Sequence, residues 1–271
     1  MEHILIWIYS ILLPYSFYRG IRGCLRIITS YNYIKSEKLD VNKSYSKRKI
    51  KFHILIPVLR EQETVGNTIK NFSGLKGNYQ VYLITTGKEN FEKIHSNRIP
   101  QKYKSMPITK RVIETILNAN PNLKKKFNII HYPKTFGTVA YQYNYALKQL
   151  SEFADPADFI LTYNADSVIE NNVLEKYSEM ILNNKDCMVV QQSAAFLANY
   201  KKLSPFLRSI ALLQTRWTLA HEIPRILTTN GAWGFTEGAH LVAHGLCINL
   251  GFMNQIGGFP QKFLSEDLTL G

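Results

Sequence analysis

The stretch DFILTYNADSVIENNVLEKYSEMILNN, residues 158–184, decides the fold class of this chain. Its mostly apolar run 159–163 has the length of a buried strand, and the run ends on the polar tip Asn164–Asp166. The residues that follow place apolar side chains three and four positions apart, which predicts a helix. A buried strand that passes through a polar turn into a helix is the unit from which parallel α/β sheets are built.

The same unit recurs along the chain from residue 51 to about residue 190. The predicted strands are KFHILIPVL (51–59), YQVYLITTG (79–87), NIIHYP (128–133), DFILTYNAD (158–166) and CMVVQQSAAF (187–196). Helical spacing lies between them, so the fold class is α/β with a mostly parallel sheet flanked by helices. The lysine-rich segment 88–127 is predicted to be an insertion with one helix (111–118) and a solvated charged face.

Composition sets the broad class of the protein. The chain has 271 residues, of which 45% are hydrophobic and 12% aromatic, enough to fill a core and to exclude a disordered chain. The three cysteines, Cys24, Cys187 and Cys247, are odd in number and far apart. They therefore favour free thiols in a reducing compartment over a disulfide framework.

The first residues favour a membrane surface. Residues 4–18 carry no charge, but this run is shorter than the roughly 20 residues that a straight span needs. Aromatic residues within it and arginines just after it are typical of an interfacial helix. We predict a membrane-associated segment (1–34), a basic linker (35–50) and one α/β domain (51–271), with the domain on the cytoplasmic side of the cell membrane because basic flanks stay there.

Two alternatives accompany that interpretation. The apolar run is otherwise a soluble helix packed on the domain, and for the amphipathic stretch 203–227 packing on the sheet is the default expectation. The net charge of +13 also suggests a nucleic-acid-binding module. However, residues 19–51 alone hold ten lysines and arginines against two acids, so most of the surplus lies beside the apolar run, and we expect no nucleic-acid partner.

Several acids stand where a ligand would bind in an α/β sheet, beyond the carboxyl ends of the strands. Asp166, with Asn164 as a neutral helper, suits a hard cation such as Mg²⁺, which takes one or two carboxylates plus substrate phosphates. The alternative is that Asp166 and Ser167 cap the next helix. Glu61 follows the first strand and either accepts hydrogen bonds from a ligand or is a surface acid.

Two further groups near the end of the chain have side chains suited to catalysis or metal binding. Glu266 and Asp267 are adjacent acids, one of which suits a general base, although acids also favour a helix N-terminus. His240 and His244 are four apart, a zinc-like spacing that lacks a third ligand.

Four segments in this order resemble the family 2 nucleotide-sugar glycosyltransferases, which have the Rossmann-like GT-A fold. They are HILIPVLREQETVGNTI (53–69), TFGTVAYQYNYAL (135–147), FILTYNADSVIENNVL (159–174) and HGLCINLGFMNQIGGFPQKFLSEDLTLG (244–271). The resemblance runs from about residue 51 to residue 271. It implies an inverting, hexosyltransferase-type enzyme that moves a sugar from a nucleoside-diphosphate sugar to a hydroxyl of a saccharide or lipid-linked acceptor, in cell-surface polysaccharide or glycolipid synthesis.

The resemblance also implies roles for particular residues. Asp166 would hold Mg²⁺ or Mn²⁺, and Asp267, beside Glu266, would deprotonate the acceptor hydroxyl. The remaining substrate-binding positions that it implies are Pro57, Glu61, Gln142, Asn144, Asn164, Gly257 and Gly258.

Three departures from the family pattern support a different function. Asn164 replaces the first acid of the D-x-D element, and LITTGKEN has no aspartate after the second strand. The chain also stops just after Glu266–Asp267, where family members continue, so we expect a C-terminal truncation relative to the family. These departures favour the alternative of a catalytically impaired nucleotide-sugar-binding protein or fragment.

Overall fold

The computed structural model describes residues 2–36, 50–97, 99–184, 186–197, 199–229 and 241–261. The chain divides into two compact units. The helical unit contains the described residues up to 36 and those from 193 to 229, and the sheet unit contains those from 50 to 192 and from 241 to 261.

Regular elements occupy most of the described residues. The helices are α1 (Glu2–Ser36), α2 (Val65–Ser73), α3 (Gly87–His95), α4 (Gln101–Ser105), α5 (Thr109–Ala119), α6 (Pro121–Lys124), α7 (Val139–Leu150), α8 (Val173–Asn183), α9 (Pro205–Trp217), α10 (Ile223–Thr229) and α11 (Leu250–Gln255). The strands are β1 (Lys51–Pro57), β2 (Asn78–Thr86), β3 (Phe127–Tyr132), β4 (Phe159–Thr162), β5 (Val189–Gln191) and β6 (Leu246–Asn249).

The six strands form one sheet in the order β3-β2-β1-β4-β6-β5. The pairs β1–β2, β1–β4 and β2–β3 are parallel, and β6 runs antiparallel to both β4 and β5. The predicted α/β class and the mostly parallel sheet are therefore confirmed. The sequence placed the five strands correctly, although β5 is only three residues long. The sequence pattern of HLVAHGLCINL, residues 240–250, is also strand-like, and residues 246–249 of it form β6, whose antiparallel direction the pattern did not predict.

The alternation of side chains along β1 builds two cores. Ile54 and Ile56 point to one face of the sheet, where they pack with Leu83 and Leu161 and with the apolar faces of α2, α5 and α8. Leu55 points to the other face and joins a cluster that includes α7 and α11. A strand buried on both faces explains why ILIP, residues 54–57, is a continuous apolar run. The strand ends at Pro57, which has no N–H to continue the ladder.

The insertion after β2 is more ordered than its composition predicts. It holds four helices, α3 to α6, where the sequence predicted one. Ile113 and Leu117 of α5 are buried in the core, and Thr109 at its first turn is fully buried. One face of α5 packs in the core of the sheet unit. The expectation of a single helix is therefore wrong, whereas lysines such as Lys102, Lys124 and Lys125 are exposed as predicted.

The helical unit is built from two segments that lie far apart in the sequence. The hydroxyl of Ser30 in α1 donates to the carbonyl of Leu219, which lies in a π-helical turn (218–222) between α9 and α10. Residues 203–227 therefore belong to the same compact unit as α1. None of the helices in the described residues combines the length and apolarity needed to cross a membrane.

A buried histidine in β1 makes stability depend on pH. His53 is fully buried, with Nε2 2.9 Å from Asp158 Oδ2 and Nδ1 3.2 Å from the hydroxyl of Tyr82. Burial lowers the pKa of His53 below its ordinary value, against the opposing effect of Asp158. At pH values below the ordinary pKa the unfolded state binds more protons, so the free energy of unfolding falls as the pH is lowered.

We expect urea unfolding to show this loss between pH 7 and pH 5, with a slope from His53 of at most about 1.4 kcal/mol per pH unit. His53→Gln should flatten the profile, and the control His95→Gln, at an exposed position, should leave it unchanged. Parallel profiles for wild type and His53→Gln would contradict the prediction.

Candidate functional site

Polar residues gather where β1 and β4 end. These two strands are parallel neighbours, in register from Phe52 with Phe159 to Leu55 with Thr162. Neighbouring strands lie about 4.8 Å apart, so the turn after β1 and the turn after β4 meet at one edge of the sheet. The first carries Glu61, and the second carries Asn164 and Asp166.

The turn after β4 presents two polar side chains to solvent. Asn164 and Asp166 are exposed, whereas Ala165 and Ser167 between and beyond them are buried. The backbone is held on both sides, because Tyr163 N donates to Leu55 O (3.1 Å) and the hydroxyl of Thr68 donates to Ala165 O (2.5 Å). A fixed backbone that projects a carboxylate outward is a suitable support for a ligand group.

The capping alternative for this turn is wrong. The next helix, α8, begins at Val173, and its N-cap is Asn172, six residues beyond Asp166. Ser167 instead turns inward, with its hydroxyl 3.0 Å from Nδ1 of His244. Neither Asp166 nor Ser167 is therefore needed to start the helix.

His244 is a neighbour of Asp166 that the sequence did not assign to this site. It precedes β6, and its ring meets the ring of Tyr163 edge-on at 5.4 Å. Burial lowers the pKa of His244, and the negative charge of Asp166 acts in the opposite direction. The only sequence signal was its position just before the apolar run of β6. His240, its partner in the predicted zinc-like pair, lies outside the described residues.

The turn after β1 is fixed by a buried carboxylate from the insertion. Oε1 of Glu89, in α3, accepts hydrogen bonds from Gln62 Nε2 (2.7 Å), Thr109 N (2.8 Å) and the hydroxyl of Thr109 (2.8 Å). The same hydroxyl oxygen accepts from Glu61 N (3.0 Å). Glu89 is the first acidic residue after β2, but its carboxylate accepts the hydrogen bonds that hold the turn after β1.

Two residues of this turn have further constraints. Arg60 has a left-handed backbone with φ 62°, uncommon for a residue other than glycine, and its guanidinium lies 3.6 Å from Glu92. The half-buried Glu61 carboxylate accepts a hydrogen bond from the hydroxyl of Thr64, and Glu61 O accepts from Val65 N at 2.8 Å. Glu61 therefore stands at the sheet edge as predicted, with part of its carboxylate bound within its own turn.

We expect Glu89→Ala to lower the free energy of unfolding by about 2 kcal/mol, because it leaves buried donors of Gln62 and Thr109 without an acceptor. Glu89→Gln keeps an acceptor oxygen and should lose less. Urea unfolding measures both, with Glu114→Ala, on the partly exposed face of α5, as the control. Equal losses for Glu89→Ala and Glu114→Ala would refute the network's contribution.

Helix α7 carries the two predicted substrate-binding amides, and they differ in environment. Gln142 is 5% exposed, and its Oε1 has no hydrogen-bond partner among the described residues. The hydroxyl of Thr138, the N-cap residue of α7, is likewise buried and has no partner within the described ranges. Buried polar atoms of this kind need an explanation, and a bound ligand is one. The role of Gln142 in substrate binding therefore stays a prediction.

Asn144 holds a loop. Its Nδ2 donates to Phe259 O and its Oδ1 accepts from Phe259 N, both at 2.7 Å. Gly257 and Gly258, next to Phe259, have φ values of 87° and 86°. A Cβ on Gly258 would lie 2.5 Å from Asn144 Oδ1, whereas one on Gly257 would meet nothing within 4 Å. Gly258 is thus required by the close approach of Asn144, and any role of Asn144 in binding would act through this loop.

A cleft of about 510 Å³ opens beyond the ends of β2 and β3. Its walls come from α3, the start of α5 and the turn after β3, and they include Phe91, Lys110, Arg111 and His131. Phe91 is 48% exposed, so the cleft combines an accessible aromatic ring with cationic side chains. These are the groups that stack on a planar ring and bind an anion.

The predicted catalytic acids Glu266 and Asp267 lie outside the described residues, so their roles stay predictions. Among the residues that the structure describes, no three His, Cys, Asp or Glu side chains are grouped to hold a metal ion. The exposed Asp166 carboxylate still fits Mg²⁺ or Mn²⁺ of the kind that takes one protein carboxylate and completes its shell with phosphate oxygens and water.

Comparison with solved structures identifies the type of fold. The mannosyltransferase PcManGT from Pyrobaculum calidifontis, solved in complex with GDP-Man and Mn²⁺, matches with a TM-score of 0.55 and 11% sequence identity. The match covers 95% of this chain and 61% of that one, so the chain spans less than two thirds of its structural relative. At this identity the likeness concerns the fold alone.

A second glycosyltransferase neighbour is weaker. TarS from S. aureus, residues 1–349, has a TM-score of 0.42 and 14% identity over 81% of this chain and 53% of that one, a likeness too low to carry an inference. No protein-family model matches the chain. No curated protein matches it either. The described sheet and its helices are therefore a mixed α/β fold similar to those of glycosyltransferases, as the resemblance implied.

Proposed function

We propose that the chain is a nucleotide-sugar glycosyltransferase. The observation that carries the proposal is the exposed Asp166 at the end of β4, beside the fixed turn after β1, in a fold similar to that of an enzyme solved with GDP-Man and Mn²⁺. Ligands of open α/β sheets bind at this edge. The buried oxygens of Gln142 and Thr138, which have no hydrogen-bond partner among the described residues, supply further groups for a polar ligand.

In the proposed reaction, a hydroxyl of a saccharide or lipid-linked acceptor attacks the anomeric carbon of a nucleoside-diphosphate hexose. The new glycosidic C–O bond forms as the bond to the diphosphate breaks, with inversion of configuration. Asp267, assisted by Glu266, takes the hydroxyl proton. Asp166, with Asn164 beside it, would hold Mg²⁺ or Mn²⁺, whose positive charge stabilises the diphosphate that leaves.

The remaining predicted residues bind and orient the donor. The turn from Pro57 to Glu61 would contact the nucleoside, and the glycines at 257 and 258 would let the backbone approach the sugar closely. The cleft beyond β2 and β3 offers Phe91 for a base and Arg111 for a phosphate, a second candidate location for part of the donor. The product would enter a cell-surface polysaccharide or glycolipid.

We further propose that the helical unit keeps the enzyme at the cytoplasmic face of a membrane. Supporting this location, α1 exposes Trp7, Tyr9, Tyr15 and Phe17, each more than half accessible to solvent. Aromatic and apolar side chains beside arginines favour the interface between lipid headgroups and water.

The test is turnover of a panel of nucleoside-diphosphate sugars with Mn²⁺, with release of the nucleoside diphosphate as the readout. Donor-dependent release that requires both Mn²⁺ and an added acceptor supports the proposal.

The second candidate function is nucleotide-sugar binding without transfer, which the single carboxylate at the β4 turn and the occupied Glu89 carboxylate favour. A donor that raises the melting temperature without turnover would establish this second function.

A further inference from the structure

A groove in the helical unit combines an apolar wall with paired arginines. It has a volume of about 480 Å³ and lies between one face of α1 and the start of α10. Ile21 and Leu25 of α1 form its wall with Leu227 of α10. Ile21 and Leu25 are 48% and 59% exposed, so the apolar wall is open to solvent in the part of the chain that the structure describes.

The cationic part of the groove comes from Arg22 and Arg26. Residues four apart in a helix lie one turn above each other on the same face. A guanidinium donates through a planar fork that matches the oxygens of a phosphate, and two forks one turn apart suit a phosphate with several oxygens. The groove therefore offers an apolar wall and an anion-binding edge side by side.

The charge of the whole unit selects among possible occupants. Residues 2–36 and 193–229 contain nine lysines and arginines against two acids, Glu2 and Glu222. A second copy of the unit would bring like charges together, which costs free energy. An anionic amphiphile instead pairs with the arginines and buries its chain on the wall. A volume of 480 Å³ lies in the usual range for small-molecule sites.

We propose that this groove binds one phosphate-headed lipid taken from a bilayer, with the phosphate at Arg22 and Arg26 and the hydrocarbon along Ile21, Leu25 and Leu227. This inference rests on the membrane location proposed above and adds to it a defined site for one lipid molecule. It is distinct from the sugar-transfer site, because all its lining residues belong to the helical unit. Its test needs no sugar transfer, so its failure and that of the enzymatic proposal are separable.

The experiment titrates the full chain with dihexanoyl phosphatidate below its micelle concentration, by isothermal titration calorimetry. Dihexanoyl phosphatidylcholine and inorganic phosphate are the parallel ligands. We expect phosphatidate to bind at least 10-fold more tightly than either. Equal affinity for inorganic phosphate would show a plain anion site, and equal affinity for phosphatidylcholine would show a site without charge recognition. Either result overturns the proposal.

Variants then locate the site. Removing two cationic side chains near a lipid phosphate should weaken binding about 30-fold, at about 1 kcal/mol for each, so we expect this loss for Arg22→Gln with Arg26→Gln. The matched control is Lys201→Gln with Lys202→Gln, the same loss of charge on an exposed turn of the same unit, with less than a 3-fold effect expected. Leu25→Trp, which fills the groove and keeps its charge, should also weaken binding at least 10-fold.

The remaining outcomes would decide against the site. Equal losses in the two double variants would show diffuse surface charge instead of a groove. Unchanged binding by Leu25→Trp would show that the hydrocarbon lies elsewhere. A dimer that forms without lipid and dissociates in Leu25→Trp would make a second copy the occupant of the groove. Melting temperatures of all variants confirm that each is folded before it is titrated.

Discussion

Replacing Asp166 with alanine should lower sugar transfer roughly 100- to 1,000-fold, because a metal ion that stabilises the leaving diphosphate contributes several kcal/mol to the transition state. Asp166 is exposed, so the free energy of unfolding should change by less than about 0.5 kcal/mol. A loss of turnover without a loss of stability separates a ligand group from a structural one. Initial rates of nucleoside-diphosphate release over a Mn²⁺ titration measure the effect.

Two variants sharpen this prediction. Asp186→Ala removes an exposed aspartate beyond α8 and should leave turnover unchanged. Asn164→Asp adds a second carboxylate at the same turn, so half-maximal activity should be reached at a lower Mn²⁺ concentration. Full activity of Asp166→Ala, together with an unaltered metal requirement in Asn164→Asp, would show that the turn plays no part in catalysis.

The second large effect concerns the loop held by Asn144. Gly258→Ala should lower the free energy of unfolding by about 3 kcal/mol, since it combines a left-handed backbone with overpacking against Asn144. Gly257→Ala has nearly the same φ but an open environment, so it should lose only about 1–2 kcal/mol. The difference between the two neighbours isolates the contact with Asn144, and urea unfolding curves measure it.

A double-mutant cycle tests the mechanism. If the methyl of Gly258→Ala collides with the amide of Asn144, then adding Asn144→Ala should relieve part of the loss, and the two changes will not be additive. Additive losses, or the same loss at both glycines, would show that backbone conformation alone requires glycine at these positions.

Much of the sheet unit can be predicted from the pattern of apolar and polar residues within single strands and helices. The continuous apolar run of β1 predicts a central strand because side chains on both of its faces are buried. Asp166 falls at a strand end because an apolar run gives way there to polar residues. The same pattern could not distinguish a ligand turn from a helix cap, since that depends on where α8 begins.

The contacts that the sequence missed join residues far apart in the chain. Glu89 binds Gln62 and Thr109, which lie 27 and 20 residues away, and no local pattern marks a charged residue as buried. The sequence pattern also did not indicate that the amide of Asn144 binds the backbone of Phe259, 115 residues away, and its predicted place at the substrate stays a prediction. Likewise, the amphipathic pattern of 203–227 shows that one face is apolar, but not that residues 218–229 contact α1.

The separation of the two halves of the helical unit has a consequence during synthesis. Ser30 and its acceptor Leu219 are 189 residues apart. A ribosome adding about 5–20 residues per second needs roughly 10–40 s to make the intervening chain. Throughout that interval α1 has left the ribosome without the segment that packs on it, while the parallel strands of the sheet unit are still emerging. The part of α1 around Ser30 therefore stays without its packing partner until residues 218–229 have been made.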